Sequence, residues 1–311
     1  NCRTGTRRTG RLGRITSHCT VHIFGEDKGH MVKLGFLFSR LRIEEKLLIE
    51  EASNRSDVEL VPLDSRKMIL GPKSDLKIDI LLDREISQSR ALHFLQLVRN
   101  SGVKCINRYE VVRICGDKVF TSKTLRDAGI PTPEVKVAFT KESALEAIEE
   151  MGYPVVLKPV DGSWGRLIAK IEDRNSAEAI LEHKSYLSSY YHSIFYIQEY
   201  IHKPDRDIRA LVLGEETICA TYRKSENWFT NVARGGKAIK CPLTHELEDL
   251  CIKASKAVGG GALAVDLMET QDGYTVHEIN CSMEFKGSMQ AISLNIPGMI
   301  INYCVAQTKS N

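Results

Sequence analysis

Leu263-Ala264-Val265-Asp266-Leu267-Met268, a turn at Thr270-Gln271-Asp272-Gly273, and Tyr274-Thr275-Val276-His277-Glu278-Ile279-Asn280 read together as two strands joined by a tight hairpin. Residues two apart on a strand share a face, so Glu278 and Asn280 project together. Closure of the hairpin then stands Asp266 beside them. Two carboxylates and an amide on rigid strands suit Mg²⁺, a hard ion that takes oxygen donors and often carries substrate phosphates. The same residues also fit an ordinary hairpin with solvated acids on its outer face, so the rest of the chain has to decide.

Composition narrows the classes. A chain of 311 residues is long enough for two or three small domains with cores of their own. No apolar stretch approaches the ~20 residues of a membrane span, so no membrane role is expected. The formal charge of +3 misleads, because residues 1–30 hold six of the 43 basic and two of the 40 acidic side chains, leaving 37 against 38 in 31–311. A near-neutral body gives no electrostatic case for nucleic acid. The nine cysteines are scattered without a CxxC pair, which speaks against zinc or a thioredoxin-like role. An odd count of this kind fits a reducing cytoplasm.

Residues 1–30 show no helical or strand period, and a clean strand begins after Met31, so the leader is expected to be non-native or disordered. From 31 to 116, strands (32–38, 58–62, 78–82, 104–106) alternate with helices (43–52 and 87–99, the second opened by Ser87 as a cap). That alternation predicts a mainly parallel sheet. Gly71-Pro72-Lys73-Ser74 faintly resembles a phosphate loop but lacks the upstream glycine, and reads as an ordinary loop. After Ile130-Pro131-Thr132-Pro133, a small α+β unit is expected within 117–194, with strands over 134–139, 154–159 and 167–171 and helices over 141–150 and 176–183. A larger antiparallel section is expected over 195–311, beginning with a strand over 195–200. It continues through strands over 207–213 and 216–222, a helix over 245–258 and the opening hairpin. Residues 297–307 read as either an interface helix or core.

Several side chains suggest a nucleotide clamp. Lys158 ends the apolar run Val155-Val156-Leu157, which would point its ammonium into a cleft; the bland alternative is a surface lysine before a hairpin loop. Gly162, Ser163, Trp164, Gly165 and Arg166 follow as a loop whose backbone N–H groups could close over phosphates. Lys118, at a helix start, could do the same, or Asp117 could simply cap that helix. Gln198, Glu199, Tyr200 and Ile201 leave a strand where backbone groups can read an adenine edge. Asp207 and Arg209 share a strand face, with Arg223, Asn231 and Arg234 beyond. Each alone is by default a solvated charge; their order along the chain is that of a clamp.

On these motifs the chain resembles the ATP-grasp superfamily of carboxylate–amine ligases, and within it the RimK-like branch, most closely the LysX/ArgX ligases of amino-group-carrier biosynthesis. The resemblance spans residues 32–303. It rests on Gly116-Asp117-Lys118, Lys158-Pro159 with its glycine loop, Gln198-Glu199-Tyr200, Arg206-Asp207-Ile208-Arg209, Asn231-Val232-Ala233-Arg234-Gly235-Gly236, and Asn280 leading to Met283-Glu284-Phe285-Lys286. It implies an ATP-grasp fold: an N-terminal pre-ATP-grasp domain over 31–116, a central lid over 117–194 and a C-terminal antiparallel subdomain over 195–311. It further implies that Lys118 and Lys158 meet ATP phosphates, that Arg223, Asn231 and Arg234 meet phosphates or the incoming amino acid, and that residues 162–166 form the lid loop. Gln198 to Ile201 would bind adenine, Arg209, Asn231 and Arg234 would be catalytic, and Asp266, Glu278 and Asn280 would hold Mg²⁺, as two ions.

The chemistry implied has two steps, an acyl phosphate and then an amide. The carboxylate belongs to the C-terminal Glu of a small acidic, LysW-like carrier protein, and the amine to 2-aminoadipate or glutamate. Lysine-type members carry Asn and a small residue after Glu-Phe-Lys, and arginine-type members Gly-Phe. This chain has Gly287-Ser288, with flanks of the lysine type, which favours 2-aminoadipate. A homo-oligomer, dimer or tetramer, is the family habit. The rivals are a RimK-type ligase adding glutamate to another protein or peptide, and a nucleotide-binding regulatory protein without turnover.

The leader offers a test of the pathway. Such carriers typically end Glu-Asp-Trp-Gly-Glu. Gly10-Arg11-Leu12-Gly13-Arg14-Ile15-Thr16 can be encoded GGA AGA CTG GGG AGA ATA ACN, which one base later reads GAA GAC TGG GGA GAA TAA, the same tail and a stop. Residues 1–30 are thus expected to be an out-of-frame reading of an upstream carrier gene. Sequencing the encoding DNA should show these codons, and codons that do not yield that tail sink the idea.

Overall fold

Buried apolar runs and capped helices alternate from Val32 onward and close into a parallel sheet. The computed structural model describes residues 31–162, 167–186, 193–224 and 237–309. In chain order the first elements are β1 (Val32–Phe38), α1 (Ile43–Ser53), β2 (Val58–Asp64), β3 (Ile80–Asp83), α2 (Gln88–Val98), β4 (Lys104–Ile106) and α3 (Tyr109–Cys115). The strands order β2-β1-β3-β4, all parallel. Ser87 caps α2, its Oγ accepting from Arg90 N at 3.4 Å. Gly71-Pro72-Lys73-Ser74 forms a closed turn, with Ser74 N on Gly71 O at 3.0 Å, as a plain loop should.

Next come α4 (Lys118–Asp127), β5 (Val135–Ala138), α5 (Lys141–Met151), β6 (Val155–Lys158), β7 (Ala169–Ile171), α6 (Arg174–Ser185) and β8 (Phe195–Glu199). The strands form an antiparallel sheet ordered β5-β8-β6-β7. On one face α5 and α6 cover it through Ala144, Ile148, Ala177 and Leu181. Here one expectation is corrected. The strand expected to open the larger antiparallel section is β8, and it lies in the middle of this small sheet. Phe195 and Ile197 join the core under α5 and α6, a burial only non-local pairing with β5 and β6 provides.

The remaining elements are β9 (Arg206–Leu213), β10 (Glu216–Lys224), β11 (Lys237–Cys241), α7 (His245–Val258), β12 (Ala262–Thr270), β13 (Gly273–Asn280), α8 (Lys286–Ala291) and α9 (Ile296–Lys309). They build a five-stranded antiparallel sheet, β11-β10-β9-β12-β13. Alternation divides its faces. Ile208, Ala210, Val212, Leu263 and Val265 pack under α7. On the opposite face, Leu211, Leu213, Ala262 and Ala264 join β1, α1 and α9 in one core, while Asp207, Arg209 and Asp266 occupy the other end and line a cavity. Residues 297–307 resolve as core, since Ile300, Ile301 and Cys304 of α9 are buried there. Among the described residues no helix is long and apolar enough to cross a membrane.

Asn107 joins the parallel sheet to the site hairpin. Its Oδ1 accepts from Ala262 N at 2.7 Å, and its Nδ2 donates to Ala262 O at 2.9 Å and Cys281 O at 2.6 Å. The side chain is buried, so truncation strands backbone groups without water. Asn107→Ala is expected to cost about 3 kcal/mol in urea denaturation; a change under about 0.5 kcal/mol, the size of an ordinary surface substitution, would show the junction held by other contacts.

Candidate active site

Strand register builds the floor of the site. Arg209 on β9 stands opposite Asp266 on β12, and Asp266 opposite Glu278 on β13, so one row reads Arg, Asp, Glu. Arg209 Nε and Nη2 donate to the two Asp266 oxygens, both at 2.8 Å. Arg223 Nη2 lies 3.3 Å from Asp266 Oδ2, and its Nε donates to Asp207 Oδ1 at 2.6 Å. Asn280 Nδ2 reaches Asp266 Oδ2 at 3.3 Å. Burial alone would raise the Asp266 carboxyl, yet the Arg209 and Arg223 guanidiniums hold it well below the usual carboxylate range. Burial works against the Arg223 cation in turn, and Asp266 and Asp207 more than offset it.

The hairpin is not regular. Asp266 pairs with Glu278 and the next residue, Leu267, with Val276, which leaves His277 as an extra residue in β13. Such a bulge breaks the two-residue alternation. Val276 and Ile279, three apart, both enter the core under α7, while His277, Glu278 and Asn280 all line the cavity. Sequence reasoning therefore anticipated Glu278 and Asn280 on one face and missed His277, which strict alternation groups with Ile279. Burial, and then the Lys158 cation, pushes the His277 imidazole well below its usual range, so it is neutral at pH 7.

Two lysines come from other elements. Lys158 ends β6 with its side chain buried. Burial pulls its ammonium down to about 8, Lys118 acting the same way and Glu278 and Asp266 opposing. Lys118 is the first residue of α4, its Nζ 3.7 Å from Glu278 Oε1 and donating to Gly162 O at 3.1 Å. Asp117 does cap that helix, accepting from Val119 N at 2.8 Å and Phe120 N at 3.2 Å, so the cap orients the lysine. Gly162 sits at φ +90°, a conformation that suits glycine.

The cavity between sheets measures about 600 Å³. Gln198, Glu199, Tyr200 and Ile201 also line it, together with the apolar Val156, Ile168 and Met268. Glu199 Oε2 accepts from Glu134 N at 3.0 Å. Arg42 and Lys203 line it too and are not singled out by sequence, and Glu284 enters there only as part of a motif; Arg42 Nη1 and Glu284 Oε1 are 3.1 Å apart, a pairing across 242 residues that no local pattern signals. Gly287 and Ser288, expected to read the amino acid, are absent from the lining. They lie in the first turn of α8, which packs on β10 and β11, and Ser288 is buried with its Oγ 3.4 Å from Thr221 Oγ1. Ser163, Trp164, Gly165, Arg166, Asn231 and Arg234 lie outside the described residues. Among those described, no group of three or more His, Cys, Asp or Glu side chains is placed to hold a metal; the candidate donors are the carboxylates of Asp266 and Glu278 with the Asn280 amide.

Comparison with known proteins gives consistent matches. Residues 34–114 match the LysX preATP-grasp domain and residues 115–304 the RimK-like ATP-grasp domain. The chain is 37% identical over 265 residues to an alpha-aminoadipate–LysW ligase LysX of Saccharolobus solfataricus, covering 84% of this chain and 96% of that one. It is 35% identical over 272 residues to a glutamate–LysW ligase ArgX of Sulfurisphaera tokodaii, covering 85% and 94%. Among solved structures, a RimK domain ATP-grasp protein from Sphaerobacter thermophilus superimposes with a TM-score of 0.74 at 28% identity, covering 88% of this chain and 99% of the other.

Lys158 yields a test of this electrostatic arrangement. Its ammonium is lowered from 10.5 to about 8, so the unfolded chain binds the extra proton between those pH values, and stability of the natural protein rises with pH across that window. Below pH 8 the buried charge costs up to about 3 kcal/mol. Lys158→Met should therefore stabilise the ligand-free protein at pH 7 by up to that amount, an advantage that shrinks toward pH 10. Urea titrations at the two pH values measure it; an equal difference at both would show that Lys158 is not under this strain.

Proposed function

The chain belongs to the RimK-like ATP-grasp family, and from that premise we propose that it is an ATP-dependent ligase joining the α-amino group of 2-aminoadipate to the γ-carboxyl of the C-terminal Glu of a LysW-like carrier protein. The observation that carries this reading is the convergence on one cavity of Lys118 and Lys158 with Asp266, Glu278 and Asn280, drawn from four elements. A set of two ammonium groups and an all-oxygen metal site is what a triphosphate needs. Relatives of both the aminoadipate and the glutamate kind match at similar identity; glutamate in place of 2-aminoadipate, or both, is the alternative.

In this reading the strand edge at Gln198 to Ile201 takes adenine, with Val156, Ile168 and Met268 supplying apolar walls. Lys118 and Lys158 meet the phosphates. Asp266, Glu278 and Asn280 fit Mg²⁺: Asp266 is held ionised, Glu278 stands opposite it, and a half-turn of the Asn280 amide presents Oδ1. When bound, as two ions, Mg²⁺ offsets negative charge on the phosphoryl oxygens. Arg209 and Arg223 hold Asp266 and Asp207 in place, a positioning part for Arg209 instead of direct catalysis. Asn231, Arg234 and the 162–166 loop are assigned by family resemblance to the amino acid and to closure over ATP.

The reaction proceeds in two steps. An oxygen of the carrier's γ-carboxylate attacks the γ-phosphorus, and the bond to ADP breaks, leaving an acyl phosphate. The amino nitrogen then attacks the acyl carbon, phosphate departs with the C–O bond pair, and the nitrogen loses a proton. No side-chain nucleophile is required; catalysis is positioning plus electrostatics. The same reading places the enzyme in the cytoplasm.

ADP release tests it, with MgATP, the carrier, and either amino acid. Carrier-dependent release with 2-aminoadipate is expected. Release with glutamate alone supports the alternative, and release with neither, in the presence of carrier, overturns the assignment in favour of a RimK-type or regulatory protein.

A further inference from the structure

His277 is an anomaly in the cavity wall. The bulge in β13 gives the hairpin one side chain more than regular pairing would show to the cavity. That side chain is an imidazole whose two ring nitrogens are closed to water and have no hydrogen-bond partner among the described residues. Leaving a buried donor bare costs about 1–3 kcal/mol, and a leucine or methionine would fill the same space without that cost. The arrangement is accounted for if something absent from the protein itself supplies the partner.

The neighbours indicate what that is. Three cations, Lys158, Arg223 and Lys203, lie close enough to act on the ring electrostatically, with Asp266 as the nearby acid. Asp266 is already committed, both of its oxygens accepting from Arg209. Glu278 is beside Lys118. Neither ring nitrogen meets a carboxylate oxygen of the described residues, and the cations acting on the ring suit an anion with several acceptor oxygens. We propose that His277 is a nucleotide-contacting residue, donating a ring N–H to a phosphate oxygen of bound ATP beside Lys158. This rests on the ligase reading above. The ring's terminal torsion is soft and roughly two-fold, so rotation can carry a nitrogen to the cavity face. An imidazole N–H is a donor of the kind a phosphate oxygen accepts.

Calorimetric titration of the full chain with Mg²⁺ and the non-hydrolysable analogue AMP-PNP, read beside the melting temperature of each ligand-free variant, tests the proposal. His277→Leu keeps the volume and removes the donor, and is expected to weaken binding roughly ten- to a hundredfold. Its ligand-free melting temperature should be unchanged or higher, since a bare polar ring has been replaced by an apolar side chain. His277→Asn keeps an N–H at similar reach and should recover most of the affinity. Wild-type affinity in the leucine variant overturns the assignment of His277 alone, and so does equal weakening in both variants. If the natural protein itself binds no AMP-PNP, the ligase reading fails and this inference falls with it.

Discussion

Asp266, itself buried, sits between two guanidiniums, and that pairing sets the geometry around it. A carboxylate buried without partners would cost several kcal/mol or simply protonate. Arg209 prevents this with a bidentate contact at 2.8 Å on both oxygens, and Arg223 ties Asp266 to Asp207. These four side chains come from β9, β10 and β12, so their charges balance only while those strands keep register. A slip of one residue would turn every member of the row toward the apolar core under α7, where a charge finds no partner. The sheet and the ion row therefore specify each other. The row is neutral in sum, two arginines against two aspartates, and Lys118, Lys158, Lys203 and Glu278 are among the charges around it that shape the field of the cavity.

The bulge shows how far a sequence pattern can be read. Asp266, Glu278 and Asn280 were legible because hairpin closure and alternation suffice to bring them to one face. His277 was not. Its placement depends on a single unmatched residue, and Tyr274-Thr275-Val276-His277-Glu278-Ile279 contains no glycine or proline to announce one. In hindsight the signal is weak but present: a regular strand would bury His277 beside Ile279 and turn Val276 outward, a poor exchange of an apolar for a polar side chain.

Long-range pairings marked the other limit. Helix starts were readable where a local cap exists, as at Ser87 and Asp117, and α7 matched the expected 245–258. The parallel sheet followed from strand–helix alternation. By contrast, β8 was assigned to the wrong sheet because its apolar run carries no information about partners. Similarly, Asn107 reads as a loop residue until its three bonds to Ala262 and Cys281 are seen. Ser288 stands out in the sequence only by its place after a motif; that its hydroxyl lies against Thr221, whose strand partner is Arg209, depends on a pairing no local pattern signals.

Lys158 makes the reason for such departures concrete. A strand ending in a buried lysine is a poor design for stability, since the ammonium surrenders hydration and finds Glu278, Asp266 and Asp207 in partial return, opposed by Lys118. The strain persists because β6 is held from both sides, by β7 and β8, and its other face is sealed under α5 and α6. A polyanion entering the cavity would relieve Lys158 and Lys118 together, and would offer acceptors to the bare imidazole of His277. Part of the binding free energy is thus stored in the empty site as unmet electrostatic and hydrogen-bonding demand. Local propensity and site chemistry disagree at these residues because the fold is complementary to its ligand, and the disagreement marks where the ligand goes.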